Sequence, residues 1–243
     1  MAAPSAVPCY LGNMRALLNP VCRPRGVAAL LGSLARCSRF VAPLCSLPPG
    51  SLLSLSSSAL GSRLTPGLGL YPDFISPAEE EALCRELEPI LRRKRYETGH
   101  WDEAIHGFRE TERLQWSLEN MAVIQRVRDK AFPTGEAQLS LVHVLDLQKE
   151  GYIKAHVDSI KFCGSTIAGI CLLSSSIMRL VSVENADERA DLLLPRRCLY
   201  MLSGAVRYNF THEILRDEES VFNGERVPRE RRISVICRNL PLS

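Results

Sequence analysis

The sequence predicts a mainly β fold with flanking helices, a closed or two-sheet body such as a jelly roll. From Gln138 onward the chain breaks into about eight short apolar runs separated by polar turns, the signature of sheets rather than helices. Ahead of these runs lie two stretches with helical apolar spacing. Hydrophobic residues make up 46% of the chain, as a globular domain requires, and no internal repeat or coiled-coil heptad competes with that assignment.

Residues 1–62 read as a leader. Residues 1–72 contain no Asp, Glu or Lys, and their only charges are Arg15, Arg23, Arg25, Arg36, Arg39 and Arg63. An acid-free stretch rich in Ser, Ala, Leu and Arg has the composition of a mitochondrial transit peptide. A secretory signal fits less well, because arginines and prolines interrupt the apolar runs. The folded domain is then 63–243. The whole chain carries +3, so setting the six arginines of residues 1–72 aside leaves residues 73–243 at about −3. A mildly acidic domain is not a general polyanion binder. No apolar run reaches the length of a transmembrane segment. Nine cysteines, at 9, 22, 37, 45, 84, 163, 171, 198 and 237, show no C-x-x-C and no paired spacing. They predict free, mostly buried thiols in a reducing compartment.

The domain opens at Tyr71. Ser76-Pro77-Ala78-Glu79 is a helix start, with Ser as N-cap, Pro in the first turn and Glu completing a capping box. Leu83, Leu87, Ile90 and Leu91 form its apolar stripe, and Arg92-Arg93-Lys94-Arg95 suits the negative end of its dipole. Residues 96–116 keep no period and predict a loop or hairpin. A second helix is expected over 117–131, with Leu118, Met121, Ile124, Val127 and Ala131 on one face and Pro133-Thr134-Gly135 ending it. The β runs are 139–147, 152–157, 165–173, 177–183, 191–194, 198–202, 208–212 and 232–238.

Chemistry concentrates in three of these runs. In an extended chain, residues two apart point to the same side, so His156 and Asp158 can face one metal ion. His212, arriving on another strand, supplies a third donor. Two imidazoles and one carboxylate on one face of an ion leave positions open, which suits a non-haem Fe(II) centre that activates oxygen. On the last strand Arg232, Ser234 and Arg238 share a face with Ile236. Two guanidinium groups and a hydroxyl beside a metal make a place for a dicarboxylate.

Together, His156-Val157-Asp158, the distal His212 and Arg232-Ile233-Ser234-Val235-Ile236-Cys237-Arg238 resemble the AlkB family of Fe(II)/2-oxoglutarate dioxygenases, and its mitochondrial branch in particular. The run Arg207-Tyr208-Asn209-Phe210-Thr211-His212-Glu213-Ile214 adds to the resemblance, which covers roughly residues 70–240. The resemblance implies a double-stranded β-helix core with iron held by His156, Asp158 and His212. It also implies 2-oxoglutarate held by Arg232 with Ser234, Tyr200 and Arg238, and O2 as the other substrate. The product would be a hydroxylated C–H bond, with succinate and CO2 released. For this branch it further implies a matrix enzyme acting on a protein side chain or metabolite, with effects on mitochondrial metabolism, fatty acid use and programmed necrosis. Two departures bear on substrate. Ser234 stands where the family often has Asn, and 96–116 is short for a base-clamping lid. Demethylation of N-methylated mitochondrial RNA is therefore the second reading, and a DNA repair role is not expected. A third is a metabolite-sensing module that signals through partners.

Other residues have plainer expectations. His143 reads as a core or lumen histidine, and His100 and His106 as surface-loop residues. Arg207-Tyr208 reads as an edge-strand pair, with pocket lining as the alternative. Arg226, Arg229, Arg231 and Arg232 are interleaved with acids, which makes them a turn and site entry rather than a phosphate track. Alternation turns Glu213 away from the metal.

Overall fold

A computed structural model describes residues 52–100 and 103–241. The leader reading over residues 1–51 lies outside the described residues. The boundary expected at 62/63 falls inside helix α1 (Ser58–Leu64). Strand β1 (Leu53–Leu55) precedes α1 and pairs antiparallel with β7 (Arg189–Leu194), while Leu60 and Leu64 are each 1% exposed. Buried leucines and a paired strand make this stretch part of the body, which composition alone could not reveal.

The remaining elements are β2 (Leu68–Tyr71), α2 (Pro77–Leu91), β3 (Ile105–Arg113), α3 (Leu118–Ala131), β4 (Val142–His156), β5 (Thr166–Leu172) and β6 (Ser176–Ser182). They continue with β8 (Leu199–Ser203), α4 (Gly204–Asn209), β9 (Phe210–Ile214), the small hairpin β10 (Val221–Phe222) and β11 (Glu225–Arg226), and β12 (Arg232–Arg238). Ten strands form one sheet in the order β1-β7-β6-β9-β4-β12-β5-β8-β2, with β3 added to β4.

Strand β4 organises the sheet. Two of the expected runs, 139–147 and 152–157, are one strand of 15 residues. Its first half pairs with β12 and its last residues pair with β9, so it belongs to both halves of the sheet. Two glycines let β3 follow it past the middle. Gly107 has φ +64 at a register shift, and a Cβ on Gly151 would stand 2.5 Å from the Gly107 carbonyl oxygen. Only glycine tolerates both demands without strain.

The two halves face each other across one core. Leu145, Leu147, Tyr200 and Leu202 come from one side; Met178, Leu180, Leu192, Phe210 and Ile214 come from the other. Helices α2 and α3 cover the outer face of β4, β12 and β5 through Leu83, Leu87, Leu91, Val123, Ile124 and Val127. Fully burying each such side chain is worth about 1.5–3 kcal/mol, which fixes the helices on the sheet. The expected stripe of α3 is partly wrong. Leu118 is 84% and Met121 48% exposed, and the buried face is Asn120, Val123, Ile124, Val127 and Ala131. Asn120 enters that face because its amide donates to the Ala82 carbonyl (3.2 Å) and to Glu86 (2.6 Å). The capping box of α2 forms as expected, between Ser76 and Glu79. Among the described residues no helix is long and apolar enough to cross a membrane.

Candidate active site

His156 is the last residue of β4, and His212 is its direct register partner on β9. Antiparallel pairing therefore brings together two histidines that the sequence separates widely. Their ring centroids lie 4.3 Å apart. Asp158 follows β4 by two residues, and its Oδ1 stands 3.2 Å from His156 Nε2 and 3.7 Å from His212 Nε2. One donor atom from each of the three lies within 4.8 Å of the others.

The protonation pattern suits a metal. His156 Nδ1 lies 2.9 Å from the Lys154 carbonyl oxygen, so its N–H is spent on the backbone and the Nε2 lone pair faces the site. Burial, and then the neighbouring His156, pull His212 down to about 4, which leaves it neutral at neutral pH. For Asp158, burial opposes ionisation. The close approach of His156 and the charge of Arg238 outweigh it and hold the carboxyl well below its usual range. Arg238 also donates to Asp158 Oδ2 at 3.2 Å, which fixes the carboxylate's orientation.

Arg232 and Ser234 project from β12 into the same cavity as the triad, a space of about 480 Å³ that Tyr200 and Arg238 line as well. Arg232 is 1% exposed, and its Nη2 meets only the soft Sγ of Cys171, at 3.2 Å. Its Nε has no partner, and neither has the buried Ser234 Oγ two residues on. A buried guanidinium without a carboxylate is costly, so this pair of orphaned donors calls for an anion. Burial pushes the Tyr200 hydroxyl above its ordinary range, which keeps it a neutral donor.

All seven residues expected from the sequence line this one cavity. Others were read differently. His143 does face the lumen, but it is tied to the site: its Nδ1 takes Arg238 Nη1 at 3.2 Å and its Nε2 meets Glu110 Oε2 at 2.8 Å. His100 lines the cavity with its ring edge-on to Phe108, rather than standing on a surface loop. Arg207 lies in α4, not on an edge strand. It is 1% exposed and donates to the carbonyls of Gly164 (2.9 Å), Ser159 and Cys163 (each 3.3 Å), clamping the loop that follows Asp158. Arg229 is fully buried and holds the carbonyls of Leu215 and Gly151; Arg231 pairs with Asp146 and Glu88 at 2.8 Å. Cys171 carried no signal in the sequence beyond an apolar run.

No protein-family model matches the chain. Two curated relatives do, each over 186 residues that cover 76% of this chain and 84% of the relative. Both are named alpha-ketoglutarate-dependent dioxygenase alkB homolog 7, mitochondrial; the one from Bos taurus is 60% identical and the one from Mus musculus 58%. Among solved structures, OsALKBH1 superposes with a TM-score of 0.53 at 12% identity, covering 71% of this chain and 97% of that one. A prolyl-4-hydroxylase from Pseudomonas putida gives 0.51 at 10% identity, covering 73% and 94%. At such identities these structures establish the shared fold only.

Proposed function

The chain belongs to the AlkB family of alpha-ketoglutarate-dependent dioxygenases, and on that premise we propose that it hydroxylates a protein side chain or a small metabolite in the mitochondrial matrix. In this reading His156, Asp158 and His212 hold ferrous iron. Arg232 pairs with the distal carboxylate of 2-oxoglutarate, helped by the hydroxyls of Ser234 and Tyr200. When bound there, iron supplies the activation of dioxygen that hydroxylation of a C–H bond requires. Arg238 orients Asp158 and balances its charge. The apolar walls, Leu145, Ile153, Met178, Leu202 and Ile214, exclude water from the reacting centre. The observation that carries the reading is the buried, carboxylate-free Arg232 beside the unpaired Ser234 hydroxyl, in the same cavity as the triad.

The donor set fits the implied groups. Two imidazoles and a carboxylate on one side suit Fe(II), and two orphaned donors suit a carboxylate. The reading extends to mitochondrial metabolism, fatty acid use and programmed cell death as the processes in which the activity would matter. Methylated RNA is a poorer fit to these walls: among the described residues Tyr200 and Phe162 are the lining tyrosine and phenylalanine, and Tyr200 is 5% exposed. The test is conversion of 2-oxoglutarate to succinate by the iron-loaded protein, with binding of Mn(II) measured separately. His156→Ala should abolish both. Retained metal binding and turnover in that variant would sink the assignment, and formaldehyde release from methylated but not unmethylated RNA would move it to nucleic acid.

A further inference from the structure

The cavity has a second polar wall that neither the triad nor the anion site uses. Glu110 and Glu112 lie two apart on β3 and share the face that lines the cavity with His143 and His100. Arg238 Nη1 can only donate, so at 3.2 Å it makes His143 Nδ1 an acceptor and leaves the proton on Nε2. That Nε2–H then donates to Glu110 Oε2 at 2.8 Å. The imidazole is thus a neutral donor, and it leaves the carboxylate's charge in place. His100 Nε2 stands 3.6 Å from Glu110 Oε1. Among the described residues, the ion-pair partners of Glu110 are these two imidazoles, and Lys94 acts on it only from farther away. Its pKa is lowered, first by the hydrogen bond from His143, so it is ionised at neutral pH.

The charge pattern then has a direction. With ferrous iron and a dianion in place, Asp158 and the two arginines leave the floor of the cavity slightly positive. Glu110 and Glu112 make the part of the lining contributed by β3 negative. Between and around them the lining is aliphatic, through Ile105, Leu139, Ile153 and Ile236. The loop after Asp158 brings Phe162, 52% exposed, to the cavity's lining, with Ile160 68% exposed near it and the Lys161 ammonium over the Phe162 ring. The cavity's volume is that of sites which bury a ligand larger than a small diacid.

We propose that the substrate group is an aliphatic cation, the side chain of a lysine or arginine on a polypeptide, whose charged end pairs with Glu110 while its methylenes lie on the apolar lining. The inference rests on the dioxygenase reading and names its substrate class. A methylene C–H becomes C–OH, one atom of O2 entering the product and the other entering succinate as CO2 leaves 2-oxoglutarate. The exposed Ile160 and Phe162 favour a polypeptide over a free amine, because a small amine would leave them uncovered.

The experiment uses the full chain with Fe(II), 2-oxoglutarate and O2, and matched peptides with a central Lys, Arg, norleucine or Glu. Butylamine and an oligoribonucleotide serve as further arms. Succinate is measured together with addition of one oxygen to the probe. The Lys and Arg peptides should be oxidised about tenfold more efficiently than the norleucine peptide, a preference worth about 1.4 kcal/mol. Glu110→Gln should remove that preference by raising KM, and Glu110→Lys should transfer it to the Glu peptide, an outcome that loss of folding cannot produce. Equal handling of Lys, norleucine and Glu peptides, or better turnover of butylamine or RNA, would overturn the proposal. Succinate formation without any charge preference fails this inference alone, whereas absence of succinate formation under every condition fails the dioxygenase reading beneath it.

Discussion

At the scale of single residues, Arg232 is the most informative side chain. It holds a full charge in the core against the sulfur of Cys171, an arrangement that costs stability until an anion arrives. Arg232→Met should therefore leave the ligand-free protein as stable as the parent, or more stable by up to about 2 kcal/mol in urea denaturation, while abolishing 2-oxoglutarate binding in calorimetry. A large loss of stability would mean that the guanidinium is already satisfied. His212 makes a prediction about acid. Its folded pKa of about 4 lies below the ordinary 6.5, so between those values the unfolded chain binds the proton and the folded protein does not. Stability of the metal-free protein is then fully present above about pH 6.5 and declines as the pH falls toward 4, by at most about 1.4 kcal/mol per unit. Melting temperatures at pH 7 and pH 5 check this, and His212→Gln should show the smaller difference.

Among the elements, β12, β5 and β8 set the anion site. Strand β12 lies between β4 and β5, where it is buried on both faces apart from its last residue. Arg232 and Ser234 consequently sit in a rigid frame. Next to them, Gly169 on β5 pairs with Tyr200 on β8, and a Cβ at Gly169 would lie 2.5–2.6 Å from the Tyr200 ring and hydroxyl. Tyr200 is 5% exposed and has little room to retreat. Gly169→Ala should displace the phenol and weaken 2-oxoglutarate binding about tenfold, with a stability loss of about 1–3 kcal/mol from overpacking. Unchanged affinity would remove Tyr200 from the site. The element-level reading from sequence succeeded where one face of a strand meets the core. It failed at α4, where Arg207 and Tyr208 looked like strand, and at the long β4, where a polar stretch looked like a turn. In both, tertiary pairing overrode a local pattern.

For the whole molecule, the N-terminal boundary carries a direct test. A chain beginning at residue 63 lacks β1 and the start of α1, and with them the pairing to β7 and the buried Leu60. Losing one such leucine costs about 2–5 kcal/mol. That chain should melt well below one beginning at residue 52, and equal melting temperatures would restore the earlier boundary. Most of the molecule's architecture could be read from the chain. The alternation of apolar residues gave the β body, the serine cap gave α2, and the spacing of His156, Asp158, Arg232 and Ser234 gave the faces on which they lie. The stripe of α3 could not be read, because Asn120 is buried where Leu118 and Met121 were expected, and only its partners Ala82 and Glu86 on α2 show why.

The amino-acid order by itself determined which side chains share a strand face and which chemistry they can perform, since a two-residue repeat is a local property of extended backbone. Tertiary structure alone decided that His212 stands opposite His156, that Arg232 is left without a carboxylate, and that His143 hydrogen-bonds Glu110. Those facts depend on pairing between distant strands, whose register is set by burying both halves of the sheet against one core, and no short window of sequence contains that information.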